Sequence, residues 1–168
     1  MPKAKGRSEA QFTTEMWRSI KHALIWQVFF YHKYPDLWTS IGFDAWLQLV
    51  WWRYIAMEYK INKNEKNLEL NKFFYNREHE LAALSKQVNL GNEAYIVVNC
   101  YYPRTHNYCL VFTIEQYYGL LKKIYPKKSI KLDDPILLKH YKFVDRHDAW
   151  RWWKNDGVWD ISLFIKDI

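Results

Sequence analysis

Residues 43–61 constrain the fold most. This run is almost entirely aromatic and aliphatic, with Trp, Tyr, Val, Leu and Ile interrupted only by Asp44, Gln48, Arg53, Glu58 and Lys60. Its composition is that of strands, whose pleated surface suits β-branched and aromatic side chains. It is too long for one strand, so it predicts two consecutive strands opened by Gly42. The chain has 168 residues, 19% of them aromatic. That is enough to bury a core without disulfides or a structural metal. Its two cysteines, Cys100 and Cys109, are too few for a secreted disulfide scaffold and read as free thiols.

Around that pair the patterning alternates between helix and strand. Residues 1–7, with Lys3, Lys5 and Arg7, form a basic arm. Ser8 and Glu9 start a capped helix running to about Ala23, with Phe12, Met16 and Ile20 on one stripe. Residues 25–31 read as a strand, and the polar residues 62–71 as a loop. A helix over 76–89 follows, with Leu81, Leu84 and Val88 on one face and Gly91 just past its end. Strands at 94–98 and 108–112 flank a turn containing Pro103, and a second amphipathic helix covers 114–124. Residues 125–135 are a Pro- and Lys-rich connection. A short helix near 136–141, a Trp-rich stretch and an alternating strand over 159–165 complete the chain. The expectation is a mixed α/β fold, with a central sheet flanked by helices. Residues 8–124 would be its core, and 125–168 a Trp-rich extension packed on that core.

The sharpest chemical signal is Glu58-Tyr59-Lys60, the single Asp/Glu-x-Lys triple in the chain. In a strand, residues i and i+2 share a face, so the carboxylate and the ammonium point the same way. Alone they would be a plain ion pair. With a second carboxylate and a divalent ion they become a phosphodiester-cleaving site. Asp44, at the start of the preceding strand, is the candidate second carboxylate. Mg²⁺ takes hard oxygen ligands, usually one or two carboxylates plus waters and phosphate. Asp44 and Glu58 could supply the carboxylates and the Tyr59 carbonyl a third oxygen; Mn²⁺ could substitute. Lys60 would orient the attacking water and offset developing charge. Asp44 and Glu58 share a face only if paired residue numbers sum to an even value. The connection must then hold an odd number of residues or a bulge. No Gly, Asn or Asp marks this turn, so either register is open.

The ordered elements resemble the PD-(D/E)XK nuclease superfamily, and within it the small Holliday junction resolvases of the RecU and archaeal Hjc type. The matching residues are Gly6-Arg7-Ser8-Glu9, then Gly42-Phe43-Asp44-Ala45-Trp46, then Ile55-Ala56-Met57-Glu58-Tyr59-Lys60. They continue with the helix containing Arg77-Glu78-His79-Glu80 and the strand Ala94-Tyr95-Ile96-Val97-Val98. The resemblance spans roughly residues 3–123. It implies a restriction-endonuclease-like fold, catalytic roles for Asp44, Glu58 and Lys60, and an assisting role for Glu9 at the metal or its waters. It also implies a branched or double-stranded DNA substrate and a homodimer, since two symmetric cuts need two sites. Two departures stand out. Glu80 follows His79 where RecU-like proteins carry Gln. Phe43 precedes Asp44 where the family has Pro, and the literal Pro35-Asp36 upstream makes Asp36 a rival ligand.

The charge balance fits a polyanionic partner, with a net charge of +7. Lys3, Lys5, Arg7, Lys63, Lys122 and Lys123 are the candidate phosphate contacts. Glu78, His79 and Glu80 read as a solvated helix face, with Glu80 set apart because it stands where the resembled family has a polar side chain near the site. His140, Asp145, His147 and Asp148 match no familiar zinc spacing. Most tryptophans are expected to fill the core or an interface rather than stack on bases. Nothing calls for an organic cofactor. No apolar stretch is long enough for a leader or a membrane span, so a cytoplasmic protein is expected. The expected function is a Mg²⁺-dependent, structure-selective endonuclease resolving Holliday junctions. The alternatives are a nuclease of the same superfamily on flaps, duplex ends or a specific sequence, and a non-catalytic nucleic-acid-binding module.

Overall fold

A computed structural model describes residues 8–23, 28–33, 42–49, 53–103, 105–140, 142–145 and 159–161. In chain order the elements are α1 (Glu9–Ala23), β1 (Val28–Lys33), β2 (Ala45–Leu49), β3 (Tyr54–Asn62) and β4 (Asn67–Leu68). They continue with α2 (Leu70–Phe73), α3 (Glu78–Asn89), β5 (Glu93–Tyr102), β6 (His106–Thr113) and α4 (Ile114–Ile124). The last are β7 (Ile130–Lys131), α5 (Pro135–His140) and β8 (Lys142–Asp145).

The architecture is mixed α/β. Six strands form one sheet in the order β1-β2-β3-β5-β6-β8. β3 and β5 run parallel, and every other neighbouring pair is antiparallel. β3 therefore lies inside the sheet with helices over both faces, and residues 55–60 are all buried. That is why the sequence reads there as a continuous apolar run rather than an alternation.

The two faces separate by residue parity. Ile55, Met57 and Tyr59 pack with Leu47, Val97 and Val111 under Phe12, Met16 and Ile20 of α1. Trp159 and Ile161 complete this layer. The ring of Phe12 meets Tyr59 and Trp159 edge-on at 5.7 and 5.8 Å. Ala56, Ile96, Val98 and Phe112 face the other way, against Leu84 of α3 and Tyr117 and Leu120 of α4. Glu58 and Lys60 share the parity of Ala56, so they point toward α3.

Local signals set the helix ends. Ser8 and Gln11 form a reciprocal cap, with the Gln11 N–H donating to Ser8 Oγ and the Ser8 N–H donating to Gln11 Oε1. Thr113 and Gln116 do the same at the start of α4. Thr113→Ala is expected to cost about 1 kcal/mol in urea unfolding, the usual loss for an N-cap hydroxyl.

The expected loop at 62–71 needs correcting. It contains β4 and the start of α2, because Leu68 and Leu70 are fully buried within an otherwise polar stretch. β4 pairs with β7, which lies inside the expected connection 125–135. β8 adds an edge strand against β6. Cys100 and Cys109 are buried within β5 and β6 and form no disulfide. Of the strand expected at 159–165, only 159–161 lie among the described residues. No helix of the described residues is long and apolar enough to cross a membrane.

Candidate active site

The site begins with the register of β2 on β3. The ladder runs Ala45↔Met57, Trp46↔Ala56, Leu47↔Ile55 and Gln48↔Tyr54, which is the even register. Leu49 N–H donates to the Arg53 carbonyl, leaving an odd connection, residues 50–52, between them. Asp44 stands one residue beyond the ladder. Its N–H donates to the Met57 carbonyl at 3.1 Å. Its Oδ2 then accepts from the Tyr59 N–H at 2.7 Å, taking the place of a strand acceptor just before β2 begins. In a strand the N–H and C=O of one residue leave on the same edge, so the Tyr59 carbonyl also faces the β2 side.

Gly42 makes this entry possible. Its φ is +75°, a left-handed conformation that favours glycine. A Cβ there would stand 2.6 Å from Ala83 Cβ and 3.3 Å from the His79 carbonyl oxygen of α3. Gly42→Ala is expected to destabilise the fold by roughly 2–3 kcal/mol, from backbone strain plus overpacking. It is also expected to lower activity, because Asp44 is two residues on. Thermal unfolding and a cleavage assay on the same preparation check both effects.

Lys60 is held by two carboxylates. Its Nζ donates to Glu58 Oε1 from the same strand and to Glu80 Oε2 of α3 at 2.7 Å. The Lys60 ammonium also lies 5.0 Å from the centre of the Phe74 ring. The Lys60 and Glu58 side chains are only 4% and 3% exposed, and that of Glu80 is 13% exposed. Glu80 Oε1 in turn accepts from Arg77 at 3.4 Å. Burial alone would lower the Lys60 pKa, but the charge and hydrogen bonds of Glu58 and Glu80 outweigh it and hold Lys60 above its usual value. It is an ammonium at neutral pH.

The carboxylates are pushed the other way. Burial raises Asp44 to about 6, against the Tyr59 N–H and Lys60, which lower it, and with Glu9 and Glu80, which raise it further. Glu58 is raised well above the usual carboxylate range, first by burial and then by the charge of Asp44. Four carboxylates thus act on one another around one buried ammonium: Glu9, Asp44, Glu58 and Glu80. Burial and mutual repulsion disfavour the ionised carboxyls, and a divalent cation there would favour them.

The donor set suits Mg²⁺ or Mn²⁺. Among the described residues, no group of three or more His, Cys, Asp or Glu is placed to hold a metal ion. The site offers instead two carboxylates, Asp44 and Glu58, with the Tyr59 carbonyl on the strand edge that faces β2. Mg²⁺ commonly takes one or two carboxylates and keeps several waters.

A cleft of roughly 350 Å³ opens at the carboxyl end of β3, the end where parallel strands usually present ligand sites. Glu9, Lys60, Lys63, Lys72, Tyr75 and Arg77 are among its lining residues. Glu9, in the first turn of α1, is thereby brought to the same cleft as Lys60. Lys63 is brought there too, whereas Lys122 and Lys123 lie exposed in the last turn of α4 and do not line the cleft. Lys3, Lys5, Arg7 and the rival Asp36 lie outside the described residues.

One expectation is corrected. Glu78 and His79 are exposed, but Glu80 is turned inward on Lys60 and is not part of a solvated face. Lys72 and Tyr75 belong to no sequence motif. The available signal was their position on the crossover that follows a strand ending in Glu-x-Lys.

The fold is a mixed α/β sheet with its candidate chemistry at one strand end. No protein-family model matches the chain, and no curated protein matches it. Among solved structures, the chain is similar to Archaeoglobus fulgidus Hjc, a Holliday junction resolvase from an archaeal hyperthermophile. The likeness has a TM-score of 0.40 and 18% identity, covering 74% of this chain and 91% of that one. At that distance the chemistry rests on this chain's own residues.

Proposed function

We propose that this protein is a divalent-metal-dependent DNA endonuclease, and that its substrate is a four-way DNA junction. One observation carries the reading. Asp44, Glu58 and Lys60 form a buried cluster toward the carboxyl end of β3, and Lys60 and Glu9 both line a cleft rich in Lys and Arg. Asp44, Glu58 and the Tyr59 carbonyl would hold Mg²⁺ or Mn²⁺. Bound there, the ion would lower the pKa of a water and offset charge on the scissile phosphate.

The chain's own groups do the rest. Lys60, kept protonated by Glu58 and Glu80, supplies positive charge where the phosphate becomes more negative. It is not a general base at neutral pH. Tyr59 fixes Asp44 through its N–H, so the carboxylate is oriented by the backbone of the same strand that carries Glu58. Glu9 reaches the site from α1 and orders solvent at its mouth. Lys63, in the cleft, contacts a phosphate neighbouring the scissile one, and Lys122 and Lys123 contact phosphates further away. Paired symmetric cuts require two such sites, hence a twofold homodimer.

The experiment is cleavage of a labelled four-way junction by the full chain with Mg²⁺ or Mn²⁺, beside duplex and flap of equal length. Paired nicks at symmetric positions in the junction are expected. Cutting of duplex or flap but not junction would keep the nuclease and replace its substrate. Binding without any cutting would leave a non-catalytic DNA-binding module.

A further inference from the structure

The cleft beside Lys60 has features that a phosphodiester-cleaving centre does not by itself need. Its volume, roughly 350 Å³, is at the scale of small-molecule pockets rather than of a lone phosphate. Its rim carries an aromatic ring, Tyr75, that is 75% exposed. The next residue, Asn76, has φ +59°, a left-handed conformation that Asn tolerates better than most residues. This turn follows α2 and presents Tyr75 at the rim instead of in the core, where its neighbour Phe74 lies.

The charges around that ring are mixed but favour an anion. Lys63, Lys72 and Arg77 line the cleft with Lys60, against Glu9 and Glu69. Glu69 is engaged by Lys72 at 2.8 Å. Arg77 holds Glu80 only at 3.4 Å and is 53% exposed, so its guanidinium can turn to a phosphate. An exposed ring beside cationic side chains is the arrangement that binds unpaired nucleotides, with the base on the ring and the backbone on the cations.

We propose that this cleft receives one unpaired nucleotide adjacent to the scissile phosphate, its base stacked on Tyr75 and its phosphate held by Lys63 and Arg77. The position relative to the scissile phosphate rests on the nuclease reading of Asp44, Glu58 and Lys60. The nucleotide must be unpaired, because a base inside a duplex has both faces already stacked. The substrate class is therefore DNA with an open or frayed nucleotide at the cut, as at a strand-exchange point.

Binding of a six-nucleotide single strand and of a blunt duplex with the same number of phosphates, both to the full chain in EDTA, tests this without chemistry. The single strand is expected to bind more tightly. Tyr75→Ala is expected to weaken it about tenfold, while Tyr75→Phe, which keeps the ring, binds like wild type. Lys63→Ala is expected to reduce the salt dependence of binding by about one phosphate contact. Equal affinity for both ligands, or a Tyr75→Ala variant that binds the single strand like wild type, overturns the inference. Junction cleavage run in parallel separates the two readings. Cutting by wild type together with Tyr75-independent binding removes the nucleotide site and leaves the nuclease. Tyr75-dependent binding without cutting by wild type removes the nuclease and leaves a nucleotide site.

Discussion

Glu58→Gln is expected to abolish metal-dependent cleavage while making the metal-free protein more stable above neutral pH. The two effects share one cause. Glu58 is buried beside Asp44, and both its burial and that neighbouring charge disfavour its carboxylate. Its folded-state pKa lies above the unfolded value of 4.5, so the folded protein holds this proton more tightly. The stability that goes with that proton is present below the unfolded value and is lost as pH rises through the folded one. Asp44 acts in the same direction between 3.8 and about 6, a difference of about 3 kcal/mol. Gln fills the same space, carries no charge to ionise, and leaves Lys60 its bond to Glu80. Unfolding in EDTA is expected to show no gain at about pH 5 and a higher Tm at about pH 8. Activity is expected to fall by roughly 10³-fold or more, since a metal ligand and its charge are gone. A variant that still cuts would remove Glu58 from the chemistry. One that loses stability at high pH would show Glu58 to be a simple partner of Lys60.

Much of this arrangement was legible in the sequence. The split of residues 43–61 into two strands and the helices at 9–23 and 114–124 follow from composition and caps. Glu58 and Lys60 on one face follow from strand parity alone. The register was not legible, because residues 50–52 hold no turn former to set it. What sets it is burial: an even register puts Leu47 beside Ile55 on the α1 face, and a slip by one residue would turn Leu47 to the opposite face. Glu80 is a different case. Its place between Glu78 and Ala82 reads as a helix surface, and only the crossover from β3 to β5 folds α3 over Lys60. The short β4–β7 pairing escaped for a similar reason, since two-residue strands have too little pattern to read. Lys72 and Tyr75 became candidates only when the chain end of β3 proved to be a cleft.

The hold on Lys60 leads to the second large effect. Lys60→Met keeps most of the side chain's length and removes its charge from between two carboxylates. Removing one partner of a buried pair costs about 3–5 kcal/mol, because the remaining charge has lost its compensation. Here the cost must depend on pH. Lys60 lowers both Asp44 and Glu58, so without it both carboxyls hold their protons to still higher pH. Lys60 itself is charged in the folded and unfolded states across this range, because its pKa is raised from 10.5, and it adds no slope of its own. The loss is therefore expected to be smaller at about pH 5, where Asp44 holds its proton with or without Lys60, and to grow toward about pH 8, where Asp44 ionises in the wild-type fold but is held protonated without Lys60. Adding Glu58→Gln to Lys60→Met is expected to recover roughly 1–3 kcal/mol at the higher pH, the size of coupling found between touching residues. Urea unfolding of the four proteins of this cycle at both pH values measures it. A loss from Lys60→Met that is equal at both pH values and unaffected by Glu58→Gln would mean that the lysine acts through its packing on Phe74. The carboxylates would then not be competing for its charge, and the argument for a divalent cation among them would lose its electrostatic basis.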